Sequence, residues 1–106
     1  MFTEAAMAEY LRCFSDPATI HASCEDYRAA ATIDLVHDEA DLEVKLAMPL
    51  LVLWGQKGAM ERNYDVLAAW RERASDVRGH ALECGHYLAE ERPDDTADAL
   101  EAFFLA

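Results

Sequence analysis

The sequence predicts an α/β fold in which two parallel strands are flanked by helices. Three observations lead there. Residues Pro49-Leu50-Leu51-Val52-Leu53-Trp54-Gly55 form a continuous apolar run bounded by proline and glycine, which suits a strand buried on both faces by helices. A second, shorter run, Val77 to Leu82, follows Ser75-Asp76. Between and after these runs the apolar residues return at helical spacing, so the order is strand, helix, strand, helix. That order implies a parallel pair joined by a right-handed crossover.

Taken in order, residues 3 to 31 read as helix. Thr3 is an N-cap for a segment carrying Ala5, Met7, Ala8, Tyr10, Leu11 and Phe14. Asp16-Pro17 then restarts a helix with proline at its first position. On this second helix Ile20, Cys24, Tyr27 and Ala31 recur at spacings of four, three and four, so they share one face, expected to point toward a core. Residues Asp34 to Lys45 are acidic and polar, with Val36, Leu42 and Val44 as their few apolar anchors. They read as a connection holding one short helical turn, and as the hinge between two units. Beyond the first strand, Asn63 to Arg73 carries Tyr64, Val66, Leu67 and Trp70 at helical spacing. Trp54 and Trp70 read as core. Pro93 starts a last helix whose face is Thr96, Ala97, Leu100, Phe103 and Phe104. Two strands alone leave unpaired backbone groups at both edges, so the pattern implies further strands or a partner that supplies them.

Composition bounds the function. A chain of 106 residues with 53% apolar and 28% charged residues describes an ordinary soluble domain with one modest core. A net charge of −12 repels nucleic acid and anionic membranes, and the acidic stretches Asp34 to Glu43 and Glu90 to Asp98 read as solvated surface. No apolar run reaches the roughly 20 residues of a membrane span. Met1-Phe2-Thr3-Glu4 lacks the basic and apolar regions of a secretion signal, so a cytoplasmic location is expected. Cys13, Cys24 and Cys84 are odd in number and widely spaced, without a C-x-x-C pair; reduced structural thiols are expected. His21, His37 and His80 lack the spacing of a metal site, so neither a metal nor a cofactor is expected.

The segment Cys84-Gly85-His86-Tyr87-Leu88 follows the second strand and precedes the closing amphipathic helix. A strand ending in Trp-Gly, a helix, a second strand and a histidine on the next loop resemble the last third of an α/β-hydrolase. The likeness sharpens with Cys24-Glu25-Asp26-Tyr27-Arg28-Ala29, Ala31-Thr32-Ile33-Asp34, Leu53-Trp54-Gly55, Trp70-Arg71 and Cys84-Gly85-His86-Tyr87-Leu88-Ala89-Glu90-Glu91. Over nearly the whole chain these blocks are most similar to the haloacetate (fluoroacetate) dehalogenase family. The fold expected from the resemblance is a C-terminal fragment of the α/β-hydrolase core preceded by the end of a helical cap. In that division residues 1–33 are cap, 34–48 connection and 49–106 core.

The resemblance implies a two-step displacement. A nucleophilic aspartate attacks the carbon bearing the halogen and forms an ester; a histidine then deprotonates the water that hydrolyses it. His86 matches that histidine, and an imidazole, titrating near physiological pH, suits the task. Read without the resemblance, His86 is a loop residue ahead of the final helix region. Tyr27 matches the cap tyrosine that helps hold the departing halide, a role in which a phenol O–H meets developing charge in a dry pocket. Read from spacing alone, Tyr27 is a packing residue, and in related epoxide hydrolases a cap tyrosine donates to the epoxide oxygen. The partner implied is a small-molecule substrate, a haloacetate, on which the complete protein acts, and the chain is expected to associate with an N-terminal hydrolase portion or to form a homodimer.

Other residues fit less well. Where many hydrolases carry the triad acid, near Gln56-Lys57-Gly58, this chain has glycine. Asp65 and Glu61 are nearby, but Asp65 belongs by position to the start of the next helix. The absence agrees with the dehalogenase pattern, in which the acid follows an earlier strand. Arg28 is placed to pair with Glu25 or Asp26. The chain has no G-x-D-x-G or G-x-S-x-G elbow, no oxyanion loop and no arginine pair to grip a carboxylate. By itself it is expected to turn over nothing. Three origins of Met1 are open: a start in a split or decayed gene, a misassigned start, and the edge of a partial sequence. The alternative functions are an epoxide hydrolase or other α/β-hydrolase fragment, and a non-catalytic remnant or a module that docks on a partner's sheet edge.

Overall fold

A computed structural model describes residues 2–106. These residues form two compact units, 2–44 and 45–106, and each is described by itself.

The first unit is helical. Helix α1 (Glu4–Phe14) is capped by Thr3, whose hydroxyl accepts from the Ala6 N–H at 3.2 Å. Helix α2 (Pro17–Ala30) starts on Pro17, with the Asp16 carboxylate accepting from Ala18 N–H at 2.9 Å. Both starts agree with the capping chemistry read from the sequence. Residues Ile33–Ala40 form a third helix, α3, longer than the single turn expected within 34–45. Ile33, Val36 and Ala40 recur at spacings of three and four, a helical stripe that the acidic composition of the segment masked. None of these three helices holds a buried residue. The face on α2 expected to point inward is open instead: Ile20 is 47% and Tyr27 81% exposed. Three short helices carry too little surface to cover one another's apolar stripes, so the stripes stay uncovered.

The second unit is α/β. Strand β1 (Leu46–Gly55) pairs in parallel with β2 (Ala74–Leu82). The register runs from Pro49 opposite Asp76 to Gly55 opposite Leu82, with an irregularity between Leu46 and Pro49. Proline has no N–H for the ladder, so it belongs where pairing is broken. Gly79 sits opposite Val52, and a Cβ there would lie 1.9 Å from the Val52 carbonyl oxygen. Only glycine lets the two strands close at that point. Both strands extend further toward their N-termini than the apolar runs alone suggested, because backbone pairing continues past the buried residues.

The link between the strands is two short helices, not one continuous helix over 63–73. Helix α4 (Ala59–Asn63) ends at Tyr64, and helix α5 (Val66–Arg71) begins at Asp65, whose carboxylate accepts from Ala68 N–H at 3.0 Å. An N-capping aspartate divides the helical pattern there. After β2 come α6 (Leu88–Glu91) and α7 (Pro93–Phe104). Helix α5 packs on β2, and α7 packs on β1. The buried core is small: Val52, Val66, Ala74, Leu82 and Cys84. Trp70, expected inside, is 43% exposed, and Phe104 on the expected inner face of α7 is 75% exposed. A two-stranded sheet offers too little area to cover them.

Candidate active site

The two strands end together, and hydrogen bonds carry the pairing into the loops beyond. Gln56 N–H donates to the Leu82 carbonyl at 2.8 Å, and Lys57 N–H to the Cys84 carbonyl at 2.9 Å. Gly58 N–H then turns back to the Gly55 carbonyl at 2.9 Å. The approach is so close that a Cβ on Gly55 would stand 1.6 Å from the Gly85 carbonyl oxygen and 2.6 Å from its carbon. The glycine of the Trp54-Gly55 pair is therefore a packing requirement: it lets the backbone of the next turn lie over the end of β1.

That turn carries His86. It is held by Glu91, whose carboxylate accepts from Gly85 N–H at 2.7 Å and from Tyr87 N–H at 3.2 Å. Hydrogen bonding by the Gly85 amide, with a smaller contribution from Tyr87, holds the Glu91 carboxyl below the ordinary carboxylate range against the opposing effect of burial. On the other side Arg92 Nε donates to the Glu83 carbonyl at 3.2 Å, and the Glu83 carboxylate lies 3.4 Å from Lys57 and 3.7 Å from Arg92. Cys84 is buried beneath. Burial pushes its thiol up, and the Glu91 charge adds to the effect.

The His86 side chain is exposed and meets the Tyr87 ring edge-on, with centroids 5.4 Å apart. It borders a cleft of about 240 Å³ at the carboxy ends of both strands, walled by Leu53, Trp54, Met60 and Leu88. The cleft wall contains no carboxylate. Trp54 does not reach into a closed core; its indole N–H donates to Glu61. Glu61 and Asp65, the two nearby acids, are thus engaged with Trp54 and with the start of α5. The arrangement presents one imidazole, with apolar walls, at the position where open α/β sheets bind ligands.

Tyr27 belongs to the other unit. There it lines a shallow apolar hollow of about 380 Å³ with Phe14, Ile20, Ser23 and Cys24. Arg28 pairs with Glu25 across one helical turn, as expected. His21, His37 and His80 are exposed, and all three cysteines are free. Among the described residues no group of three or more His, Cys, Asp or Glu could hold a metal ion, and no helix is long and apolar enough to cross a membrane. Glu91 escaped the sequence reading, which took the acidic stretch from Glu90 as solvated surface. The available signal was a glutamate five residues after the histidine, at the start of a helical pattern.

No protein-family profile matches the chain. Individual proteins do. The chain is 38% identical over 102 residues to a fluoroacetate dehalogenase from Burkholderia sp., a match covering 96% of the chain and 34% of that protein. It is 34% identical over 105 residues to a soluble epoxide hydrolase from Corynebacterium sp. (strain C12), covering 98% and 35%. Among solved structures, a protein from Nostoc sp. PCC 7120, named provisionally as an α/β-hydrolase, superposes with a TM-score of 0.91 at 62% identity over 97% of the chain and 35% of that protein. The chain thus spans about a third of the length of the curated relatives it matches. In sequence and in fold it is a C-terminal part of the α/β-hydrolase superfamily.

Proposed function

We propose that this chain contributes the hydrolytic base, His86, to a hydrolase that cleaves the carbon–halogen bond of haloacetates through an aspartyl ester. The observation that carries the reading is the position of His86: exposed, on the turn that follows β2, at the mouth of a cleft where both strands end. Similarity to a fluoroacetate dehalogenase supports the substrate class. In the first step a carboxylate oxygen of an aspartate elsewhere in the complete protein attacks the carbon. The carbon–halogen bond breaks, and the halide leaves with its electron pair. In the second step His86 removes a proton from water as the oxygen attacks the ester carbonyl. Collapse of the tetrahedral intermediate breaks the ester C–O bond; the departing oxygen takes the proton back from His86 to give the hydroxy acid, and the aspartic acid loses its proton to solvent to restore the carboxylate.

Tyr27, which matches the cap tyrosine of the dehalogenase family, would donate its phenol O–H to the departing halide in the complete protein. Fluoride leaves poorly unless fixed donors meet its charge. The complete protein would act on small molecules, alone or as a homodimer. Epoxide opening is the second reading, supported by similarity to a soluble epoxide hydrolase.

The test uses the complete protein that carries this chain, offered fluoroacetate, chloroacetate and a small epoxide in parallel. Stoichiometric halide and hydroxy acid from the haloacetates are expected. Prompt diol formation with no halide release would replace the first reading with the second.

A further inference from the structure

The two hydrogen bonds that hold the His86 turn reach across the histidine. The Gly85 N–H donates to one oxygen of Glu91 and the Tyr87 N–H to the other, so a single carboxylate clamps the backbone on both sides of His86. Gly85 makes room for it: a Cβ there would lie 2.8 Å from Glu91 Oε1 and 3.3 Å from Oε2. The Glu91 backbone is itself fixed, its N–H donating to the Tyr87 carbonyl at 2.8 Å. Residue 87 and residue 91 thus bond each other twice, backbone to backbone and backbone to side chain. The next residue, Arg92, ties the other end of the turn at the Glu83 carbonyl.

We propose that Glu91 is the positioning residue for His86: its carboxylate fixes the turn so that the imidazole faces the cleft in the orientation needed to take a proton from water. The proposal rests on the reading of His86 as the hydrolytic base. Glu91 does not line the cleft. It acts through the backbone of residues 85 and 87, which it holds by hydrogen bonds. The depressed carboxyl keeps the clamp anionic at neutral pH, which strengthens both hydrogen bonds relative to a neutral acceptor. Two acceptor oxygens are required at once. An isosteric glutamine offers one, and its NH₂ would face the other N–H donor.

The consequence separates the two half-reactions. Halide expulsion uses the aspartate and the halide donors, whereas ester hydrolysis alone uses His86. Loosening the turn should therefore slow the second step and spare the first. An error of about 1 Å in the position of a catalytic group costs on the order of 100-fold.

The experiment compares wild type, Glu91→Gln, Glu91→Ala and His86→Ala in the complete protein, with single-turnover halide release and intact-protein mass spectrometry of the ester. For E91Q we expect a halide burst equal to the enzyme concentration, then a steady rate lower by on the order of 10- to 100-fold, with the ester adduct accumulating. E91A should do the same more strongly. If E91A does not fold, E91Q decides alone, since it keeps the volume of the side chain. Wild-type turnover without ester in E91Q would overturn the positioning role, as would a parallel loss of burst and steady rate. These outcomes count against Glu91 only if H86A traps the ester. Normal turnover by H86A would instead bring down the reading on which the proposal stands.

Discussion

Replacing Gly55 with alanine tests the packing that sets His86 over the sheet. The new Cβ would stand 1.6 Å from the Gly85 carbonyl oxygen, 2.6 Å from the Gly85 carbon and 2.9 Å from the Cys84 carbonyl oxygen, all of them backbone. Ordinary contact begins at 3.4 Å, so the two loops must open by about 1.8 Å. The hydrogen bonds Gln56 to Leu82 and Lys57 to Cys84 hold those loops together and cannot survive that movement. Losing two net hydrogen bonds costs about 1–3 kcal/mol, and residual overpacking costs about 1–3 kcal/mol more. The expected destabilisation is about 4 kcal/mol, a large fraction of the roughly 5–15 kcal/mol that stabilises a domain. The chain holds two tryptophans, Trp54 and Trp70, and both lie in the 45–106 unit. Fluorescence-detected urea unfolding therefore reports that unit. With a slope of about 1 kcal/mol per molar urea, Gly55→Ala should lower the midpoint by several molar or abolish the native baseline. Gly58→Ala is the control, because its Cβ would meet the nearest backbone atom at 3.0 Å, a contact relieved by a few tenths of an ångström. A Gly55→Ala midpoint equal to that of wild type would refute the proposed close approach of the two loops.

Three further outcomes are expected. Among the free thiols, Cys84 is buried and Cys24 exposed, and burial raises the Cys84 pKa; thiolate and access both govern alkylation. Iodoacetamide mapped by peptide mass spectrometry should therefore label Cys24 well before Cys84, and equal rates would contradict the buried turn. The Glu91 carboxyl is depressed in the folded chain, so its contribution to stability is complete above its ordinary value of 4.5 and is lost as pH falls through the lower folded value. Unfolding midpoints measured between neutral and acid pH should fall less steeply in Glu91→Gln than in wild type, and identical slopes would remove Glu91 from the clamp. Tyr27→Phe in the complete protein should slow fluoride release more than chloride release, since fluoride depends more on a donor; equal effects on both would leave Tyr27 a packing residue.

The elements that carry strong local chemistry were legible in the sequence. Thr3, Asp16-Pro17 and Pro93 mark helix starts through capping and fixed φ, and the apolar run from Pro49 to Gly55 marks a strand, because each signal resides in neighbouring residues. Features set by distant partners were not legible. Nothing local reveals that Gly55 must clear the Gly85 carbonyl or that Gly79 must clear Val52, since those contacts exist only after the strands pair. The inward face assigned to α2, and the core positions assigned to Trp70 and Phe104, assumed that helical stripes find cover; here they lie open. Glu91 was hidden for another reason. One carboxylate among many reads as surface until the backbone of residues 85 to 87 folds onto it. The place of His86 in the fold, after a strand and ahead of a helix, was legible, whereas the means of holding it there was not.

The most direct test of the account asks whether His86 is the group that hydrolyses the ester. His86→Ala in the complete protein, mixed with excess fluoroacetate and examined by intact-protein mass spectrometry, should yield one equivalent of fluoride and a stable adduct of the acid on the nucleophilic aspartate. Multiple turnover at the wild-type rate, with no adduct, would contradict the central claim.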